Sequence, residues 1–212
     1  MTPDAFQART GVSRETLNCL RSYAQILERW NQSINLVAGS TLADPWRRHF
    51  LDSAQLVPLI PPAAKILVDF GSGAGFPGLI IAAMTELDVH LVERDSRKAV
   101  FLQEVMRVSG IKATLHRENV ETLALPPADV VTARAFAPLV EICGLAHRFL
   151  RSEGIALLLK GRNVDEELTL ARKKWKMQHK SVASQSDPSG VILVIGGLRP
   201  VERSGTKRSG TI

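Results

Sequence analysis

The sequence contains little cysteine and no long hydrophobic run. Only Cys19 and Cys143 are present among 212 residues, which excludes a disulfide-stabilised scaffold and agrees with a reducing compartment. The longest apolar stretches, 79–84 and 191–195, are far shorter than the ~20 residues that cross a bilayer. The first eleven residues contain no apolar core typical of a signal peptide. We therefore expect a soluble, cytoplasmic protein.

Several catalytic and metal-binding patterns are also missing. The five histidines and two cysteines do not have the spacing of metal ligands, so no metal site is predicted. There is no GxSxG motif, and Cys143 falls within a predicted helix without an evident histidine partner. No catalytic dyad or triad stands out. The sequence gives no support for metal-dependent or covalent catalysis.

Basic residues are present in excess and are unevenly distributed. The chain has 27 Lys and Arg against 21 Asp and Glu, for a net charge of +6. Residues 148–212 contain thirteen basic and six acidic side chains, whereas residues 61–147 are slightly acidic. A basic region beside a near-neutral one indicates a polyanionic partner, most simply nucleic acid. A well-solvated surface explains the charge equally well at this point.

The pattern of apolar residues predicts an α/β fold. Two helices are predicted within residues 1–62, which we interpret as an N-terminal helical cap. Short apolar strands then alternate with helices through residues 63–198, and the last two strands are separated by the turn DPSG. This arrangement predicts a doubly wound domain with a mostly parallel sheet and a C-terminal antiparallel hairpin. Residues 199–212 are predicted to form a basic flexible tail. The predicted strands are 65–70, 88–93, 112–116, 129–134, 154–160, 176–183 and 191–197.

A glycine-rich loop, residues 71–78, follows the first predicted strand. Segment 73–78 matches the dinucleotide fingerprint GxGxxG, and Glu93 ends the second strand where it can accept hydrogen bonds from a ribose diol. An NAD site is compatible with these features. Asp69, however, lies two residues before the loop, where a carboxylate is unfavourable beside a pyrophosphate and suits a cation. S-adenosylmethionine carries a sulfonium and an ammonium and has no phosphate, so both cofactors remain candidates.

Five segments occur together in the order and spacing of a known family. They are WNQSINLV (30–37), RHFLDS (48–53), VDFGSGAGFPG (68–78), ARAFAPL (133–139) and LLLKG (157–161). Over about residues 17–197, the chain resembles the bacterial small-subunit ribosomal RNA methyltransferase G family, also called glucose-inhibited division protein B. The resemblance implies a Rossmann-like class I methyltransferase that uses S-adenosylmethionine. It also implies methylation of N7 of one guanine in 16S rRNA, near the decoding site.

The resemblance also implies roles for individual residues. Gly71 and Phe76 contact the cofactor, Glu93 binds its ribose, and Val120 with Glu121 flanks the adenine. Arg134 lies between the cofactor and the substrate guanine. The sequence departs from the family pattern at Ala74 and Phe76, where relatives often have proline and a branched aliphatic residue, and at Val37, where threonine is common. The candidate cofactor-binding residues are Asp69, Gly71, Gly73, Gly75, Phe76, Glu93, Val120, Glu121 and Arg134.

The chemistry of guanine N7 agrees with the absence of a catalytic base. N7 has a free lone pair and needs no deprotonation, so the enzyme mainly positions two reactants, which supplies roughly 7–11 kcal/mol of the barrier. Arginine is the usual partner of the O6/N7 edge of guanine, and N7 must stay free. We therefore expect Arg134 to bind O6 or a phosphate. Lys160 is a second candidate for these roles. The alternatives are a structural ion pair for Arg134 and an exposed strand end for Lys160.

Other residues have two interpretations each. Asn31 and Asn35 either face the cleft or hold the helical cap through backbone bonds. His49 either contacts RNA phosphate or is structural. Trp175, which lies among basic residues, is either a packing residue or an RNA contact.

Two further functions remain open on sequence grounds. An NAD-dependent oxidoreductase requires a proton donor and a substrate domain that we do not find. A non-catalytic, RNA-binding ribosome assembly factor shares the basic surface but needs no methyl donor. The expected partner is 16S rRNA, the small ribosomal subunit or an assembly intermediate of it, with no membrane partner.

Overall fold

The computed structural model describes residues 1–202. The helices are α1 (Pro3–Thr10), α2 (Arg14–Asn31), a π-helical segment (Trp46–Leu51) that continues into α3 (Asp52–Ala54), α4 (Gly78–Met84), α5 (Ser96–Ser109), α6 (Leu139–Phe149) and α7 (Val164–Arg172). Short 3₁₀ turns are found at Gly39–Thr41 and Val57–Leu59. The strands are β1 (Ile66–Phe70), β2 (Asp88–Val92), β3 (Thr114–His116), β4 (Ala128–Arg134), β5 (Leu150–Lys160), β6 (Trp175–Ala183) and β7 (Val191–Pro200).

The seven strands form one sheet in the order β3-β2-β1-β4-β5-β7-β6. Strands β1 to β5 are parallel, whereas β7 is antiparallel to both β5 and β6. Parallel strands are covered on both faces, which explains why β1 and the second half of β5 are mostly apolar, with Asp69 and Lys160 as the charged exceptions. The predicted mostly parallel α/β sheet with a C-terminal antiparallel hairpin is confirmed.

Each face of the sheet has its own buried core. On one face, Phe6, Leu20 and Tyr23 of the N-terminal helices pack in one cluster with Leu67 of β1 and Phe101 of α5. On the other face, α6 and α7 cover a second cluster. The cap, residues 1–62, thus shares its hydrophobic core with the sheet, and this packing places its helices beside the carboxyl ends of the strands.

Some boundaries differ from the sequence predictions. The predicted continuous helix 45–59 is divided into π-helical, α-helical and 3₁₀ pieces. Strand β7 extends to Pro200, so the predicted tail overlaps the strand by two residues, and residues 203–212 lie outside the described residues. Asn31 ends α2, and its side chain accepts hydrogen bonds from the N–H groups of Leu36 and Val37. This contact supports the structural interpretation of Asn31.

Candidate functional site

The glycine loop turns sharply at the carboxyl end of β1 and is held by its own hydrogen bonds. Gly71, Gly73 and Gly75 have φ angles of 63°, 56° and 87°, a left-handed conformation that glycine adopts without steric cost. The Ser72 N–H donates to the carbonyl of Val92 at 3.0 Å, and the Gly75 N–H donates to the carbonyl of Ser72 at 2.7 Å. Contacts within the protein therefore define the shape of the loop.

Glu93 connects this loop to the end of β2. Glu93 as a whole is 6% exposed, and its two carboxylate oxygens accept hydrogen bonds from the N–H groups of Gly73 at 2.8 Å and Asp95 at 2.7 Å. A carboxylate offers about four acceptor positions, so each oxygen can accept one further bond. Glu93 therefore supports the loop and remains able to bind a ligand hydroxyl.

A cleft of about 340 Å³ lies beside Glu93, at the carboxyl ends of the strands. Gly71, Glu93, Val120 and Glu121 all line it, so four of the predicted cofactor-binding residues come together. Open α/β sheets bind their ligands at this edge. The ring of Phe136, which follows β4, also lines the cleft and packs directly over Gly71, where any side chain at position 71 would overlap the ring.

The hydrogen bonds of the loop argue against a dinucleotide. Pyrophosphate binding relies on free N–H groups at a helix start, but those of Ser72, Gly73 and Gly75 are bonded to protein acceptors. Pro77 has no N–H, and the acceptor for Gly73 is a carboxylate. The residues of the cleft therefore fit the ribose and cationic groups of S-adenosylmethionine better than a pyrophosphate.

Asp69 lies behind the loop rather than in the cleft. Its side chain is fully buried, and Oδ1 accepts a hydrogen bond from the Thr132 hydroxyl at 2.7 Å. Within residues 1–202, Oδ2 is a buried side-chain atom without a hydrogen-bond partner, and it faces Gly78 at the start of α4. Burial raises the pKa of Asp69 to about 6. The side chain therefore joins β1 to β4 and faces the start of α4, and its contact with a cationic ligand stays a prediction.

Phe76 is also absent from the residues that line the cleft. It is 3% exposed and stacks against Tyr23 and His49, with ring centroids 5.2 and 5.1 Å apart. The Tyr23 hydroxyl of α2 donates a hydrogen bond to the carbonyl of Ala74 in the loop. Phe76 thus belongs to an aromatic stack that joins the cap to the loop, and its contact with the cofactor stays a prediction.

Arg134 lies at the end of β4, above this aromatic stack. Its guanidinium carbon is 5.0 Å from the centroid of Phe76, within the range of a cation–π interaction. Nη1 donates to His49 Nδ1 at 3.0 Å and lies 3.5 Å from Asp52 Oδ2. All hydrogen bonds of the Arg134 side chain within residues 1–202 involve Nη1, so Nε and Nη2 have no hydrogen-bond partner among these residues. The ion pair predicted as the structural alternative for Arg134 thus involves only Nη1 of the guanidinium.

His49 acts as a neutral acceptor for Arg134. Burial, reinforced by the charges of Arg134 and Arg48, lowers the pKa of His49 to about 3. Its Nδ1 accepts from Arg134, so the ring proton is on Nε2, which lies 2.8 Å from the Thr41 hydroxyl. These contacts support the structural interpretation of His49 over a contact between protonated histidine and phosphate.

Lys160 is neither an exposed strand end nor a free cation. Its side chain is 10% exposed, and Nζ donates to Glu167 Oε2 at 2.7 Å and to the carbonyl of Ala137 at 3.2 Å. The same Glu167 oxygen accepts from the Leu139 N–H at the start of α6. Lys160 thus holds segment 135–137 and α6 in place. It also lines a second, larger cavity, so its direct contact with guanine or phosphate stays a prediction.

A second cavity, of about 720 Å³, lies on the other side of segment 135–137. Arg134 lines it, together with the three residues of that segment, which also line the smaller cleft. The two cavities are therefore separated by a single wall of three residues. Ala135 in this wall has a φ of 49°, a left-handed conformation that is costly for alanine and is found most often at functional sites.

Three ion pairs border the larger cavity: Arg134 with Asp52, Arg48 with Asp187, and Lys160 with Glu167. Asp52 Oδ1 also accepts a hydrogen bond from Ser186 in the loop between β6 and β7. The sequence did not predict Phe136 as a cleft residue or Asp52 as the partner of Arg134. The motifs RHFLDS and ARAF were the available signal, but their contact joins segments more than 80 residues apart in the sequence.

Comparisons with known proteins agree with this geometry. A model of the rRNA small subunit methyltransferase G family matches residues 16–190. The chain belongs to this family. The ribosomal RNA small subunit methyltransferase G of Rhodospirillum centenum is 53% identical over 195 residues, covering 92% of this chain and 90% of the relative. That of Rhodospirillum rubrum is 52% identical over 198 residues, covering 93% and 98%.

Solved structures resemble the fold at low sequence identity. A SAM-dependent methyltransferase from Aquifex aeolicus has a TM-score of 0.58 and 13% identity, covering 74% of this chain and 95% of that one. A ribosomal protein L11 methylase from Lactobacillus delbrueckii has a TM-score of 0.56 and 15% identity, covering 68% and 77%. The predicted Rossmann-like methyltransferase fold is confirmed.

Family membership confirms the prediction of an rRNA methyltransferase with S-adenosylmethionine as its cofactor. It favours neither the NAD-dependent oxidoreductase nor the non-catalytic assembly factor. Within residues 1–202, no helix is long and apolar enough to cross a membrane. The same residues contain no group of three or more His, Cys, Asp or Glu side chains arranged to hold a metal ion.

Proposed function

We propose that this protein transfers a methyl group from S-adenosylmethionine to N7 of a single guanine in 16S rRNA, near the decoding site. The substrate is the rRNA itself, the small subunit or an assembly intermediate, and we place the reaction in the cytoplasm, where these are found. The observation that carries the proposal is the pair of cavities that share the wall 135–137. The smaller one fits the cofactor, and the larger one fits a guanine extruded from a loop of RNA.

The cofactor, when bound, supplies a methyl group activated by a positively charged sulfur. Glu93 is placed to accept hydrogen bonds from a ribose, and Val120 with Glu121 borders the cleft where an adenine would lie. Phe136 and Gly71 form its floor. These residues hold a nucleoside without using the N–H groups of the glycine loop.

Arg134 is the proposed recognition residue for guanine. His49 and Asp52 hold Nη1, and the Phe76 ring supports the guanidinium plane. Nε and Nη2 can then donate to O6, which leaves the N7 lone pair free for the methyl group. Because the scaffold fixes Arg134 before RNA binds, little of its side-chain entropy is lost on binding.

Proton transfer is not required in this mechanism. The lone pair of N7 would accept the methyl group that bound S-adenosylmethionine would supply, so no residue of this chain would have to remove a proton. The neutral state of His49 is consistent with this chemistry, because its Nδ1 is occupied by Arg134 and is unavailable as a base. We assign Lys160 the role of a positioning residue for the wall, through Ala137 and Glu167.

The test is to incubate the purified protein and labelled S-adenosylmethionine with protein-free 16S rRNA, assembled small subunits and assembly intermediates. We expect one methyl group, mapped by mass spectrometry to N7 of one guanine in at least one of these substrates. Methylation of another atom, or no incorporation into any of the three, would contradict the proposal.

A further inference from the structure

Five basic side chains gather at one corner of the sheet, far from both cavities. We name this surface the basic corner; it comprises Arg172, Lys173, Lys174, Lys176 and Arg199. It is formed by the end of α7 and by the paired ends of β6 and β7, where Lys176 lies opposite Arg199. All five residues are exposed.

The basic corner lies at the edge of the sheet opposite to the active site. Strand β6 begins at Trp175 in the corner and ends at Ala183, beside Val191, which pairs with Lys160 at the edge of the large cavity. The nine residues of β6 span roughly 30 Å at about 3.3 Å per residue. The basic corner is therefore a surface separate from the site described above.

Folding does not explain the whole charge of the corner. Within residues 1–202, none of the ion pairs includes any of its five members. Arg172 and Lys173 complement the negative end of the α7 dipole. Lys176 and Arg199 have no such role, and like charges directly opposite each other across two strands are destabilising.

Trp175 in the same segment is a packing residue. Its ring lies 5.4 Å from the ring of His147 and contacts α6 near Gly144. Trp175 thus fixes the start of β6 against α6, and the neighbouring cations project from a rigid base. Flexible cations on a rigid base attract a polyanion through release of its counterions, without recognising a sequence.

We propose that the basic corner is a second contact surface for the phosphate backbone of the RNA substrate, remote from the target guanine. This inference rests on the proposed function for the identity of the polyanion. An RNA molecule that places its target base in the large cavity and continues across the sheet reaches the corner, whereas a short fragment around that base does not.

The test compares two triple variants that remove the same charge. The corner variant carries Lys173→Gln, Lys174→Gln and Lys176→Gln. The control carries Arg14→Gln, Arg29→Gln and Lys112→Gln, at exposed positions on α2 and before β3, likewise outside the ion pairs of residues 1–202. Equal melting temperatures and equal affinity for S-adenosylhomocysteine establish that both variants are folded.

The measurement is the affinity for a long 16S rRNA fragment and for a short one that carries only the target base and its neighbours, over a series of salt concentrations. For three lost contacts to single-stranded RNA, the slope of log affinity against log salt falls by about 2 in the corner variant. We expect this decrease only with the long fragment, an unchanged slope in the control, and unchanged kcat at saturating RNA.

Equal slopes in the two variants would overturn the proposal. A loss of binding to assembled subunits, with normal binding to protein-free RNA, would also overturn it and identify a ribosomal protein as the partner. The failure of the proposed function has a different signature, because the wild-type protein would then transfer no methyl group while the difference between the two variants persisted.

Discussion

The two edges of the sheet differ in whether their positively charged side chains form ion pairs. At the carboxyl edge, Arg134, Arg48 and Lys160 are each paired with a carboxylate around the large cavity. At the opposite edge, the basic corner has five exposed cations outside any ion pair of residues 1–202. Five of the ten basic side chains of residues 148–202 thus lie in the basic corner, away from the cavities.

This difference separates two tasks of an RNA-modifying enzyme. Paired, partly buried cations hold one orientation and recognise one group, and salt screens them weakly. Exposed cations attract any phosphate, and their effect declines steeply as salt rises. Changes at the carboxyl edge are therefore expected to alter the reaction, and changes at the basic corner to alter affinity for RNA.

The largest effect is expected for Arg134→Ala. Removal of a preorganised donor costs about 100- to 1,000-fold in rate, so kcat for methyl transfer to rRNA should fall by this factor. Arg162→Ala is the control, because Arg162 is an exposed arginine at the same edge of the sheet. Binding of S-adenosylhomocysteine should stay near wild type in both variants. Arg134→Ala should remain folded at the assay temperature but melt at a lower temperature than Arg162→Ala, because it loses the contacts with His49, Asp52 and Phe76. Near-normal turnover of Arg134→Ala would remove this residue from the catalytic site.

The second effect concerns the cofactor cleft. In Glu93→Gln, the charged acceptor of two backbone N–H groups and of the proposed ribose contact is lost, and hydrogen bonds to charged groups contribute about 1.5–3 kcal/mol. Calorimetry with S-adenosylhomocysteine should show affinity lowered by about 10- to 100-fold. Glu118→Gln, a change in an exposed carboxylate of the same cleft, should have little effect. RNA affinity reduced more than cofactor affinity would contradict the assignment.

A third effect is the response of stability to pH at His49. The pKa of His49 is about 3 in the folded protein and near 6.5 when unfolded. The unfolded chain therefore binds a proton that the folded chain does not, and stability falls as pH drops below about 6.5. In His49→Gln this contribution disappears, so the loss between about pH 6.5 and about pH 5 should be smaller by about 2 kcal/mol.

Urea unfolding of both proteins at these pH values measures this difference. Asp69, whose pKa is raised to about 6, contributes with the opposite sign between about pH 3.8 and about pH 6. Its contribution is common to wild type and His49→Gln, so it cancels in the comparison. Identical pH dependence in the two proteins would show that His49 is protonated in the folded state.

The smallest effect is expected for the dependence of S-adenosylhomocysteine affinity on salt concentration. S-adenosylhomocysteine has no net charge, so its affinity should change by less than about twofold between about 50 and 200 mM salt. RNA affinity should fall more than about tenfold over the same range. A steep salt dependence for S-adenosylhomocysteine would contradict the distinction between the two edges.

Much of the fold follows from local patterns in the sequence. The apolar runs and the glycine loop locate β1, β2, β4 and β5 and the edge where ligands bind. Helix α1 was not predicted, although Thr2 caps its start, Pro3 is its first residue and Gly11 ends it. The helix has a single buried residue, Phe6, so the apolar periodicity that indicates a helix is absent.

The π-helical segment was predicted as ordinary helix for a related reason. It buries His49, Phe50 and Leu51 in succession, a pattern that a period of 3.6 residues does not anticipate. A π-helical turn contains one residue more than an α-helical turn. Such turns are rare in proteins, but those that occur are frequently found at functional sites. The contact of His49 with Arg134 depends on this segment.

The candidate site was predicted where it depends on strand ends and missed where it depends on packing. Gly71 and Glu93 follow directly from the positions of β1 and β2. Phe76 and Lys160 carry suitable chemical groups, but their partners, Tyr23 of α2 and Glu167 of α7, were not predicted. Such partners are set by tertiary structure and have no local signal.

The loop between β6 and β7 has a consequence for how the enzyme is made. Its residues Gln185, Ser186 and Asp187 bind Arg9, Asp52 and Arg48 of the first helices. Chains emerge from the ribosome with these helices first. Ser186, which donates a hydrogen bond to Asp52, is translated more than 130 residues after it. The contacts that hold Asp52 and Arg48 beside the large cavity can therefore form only after the final hairpin has been synthesised.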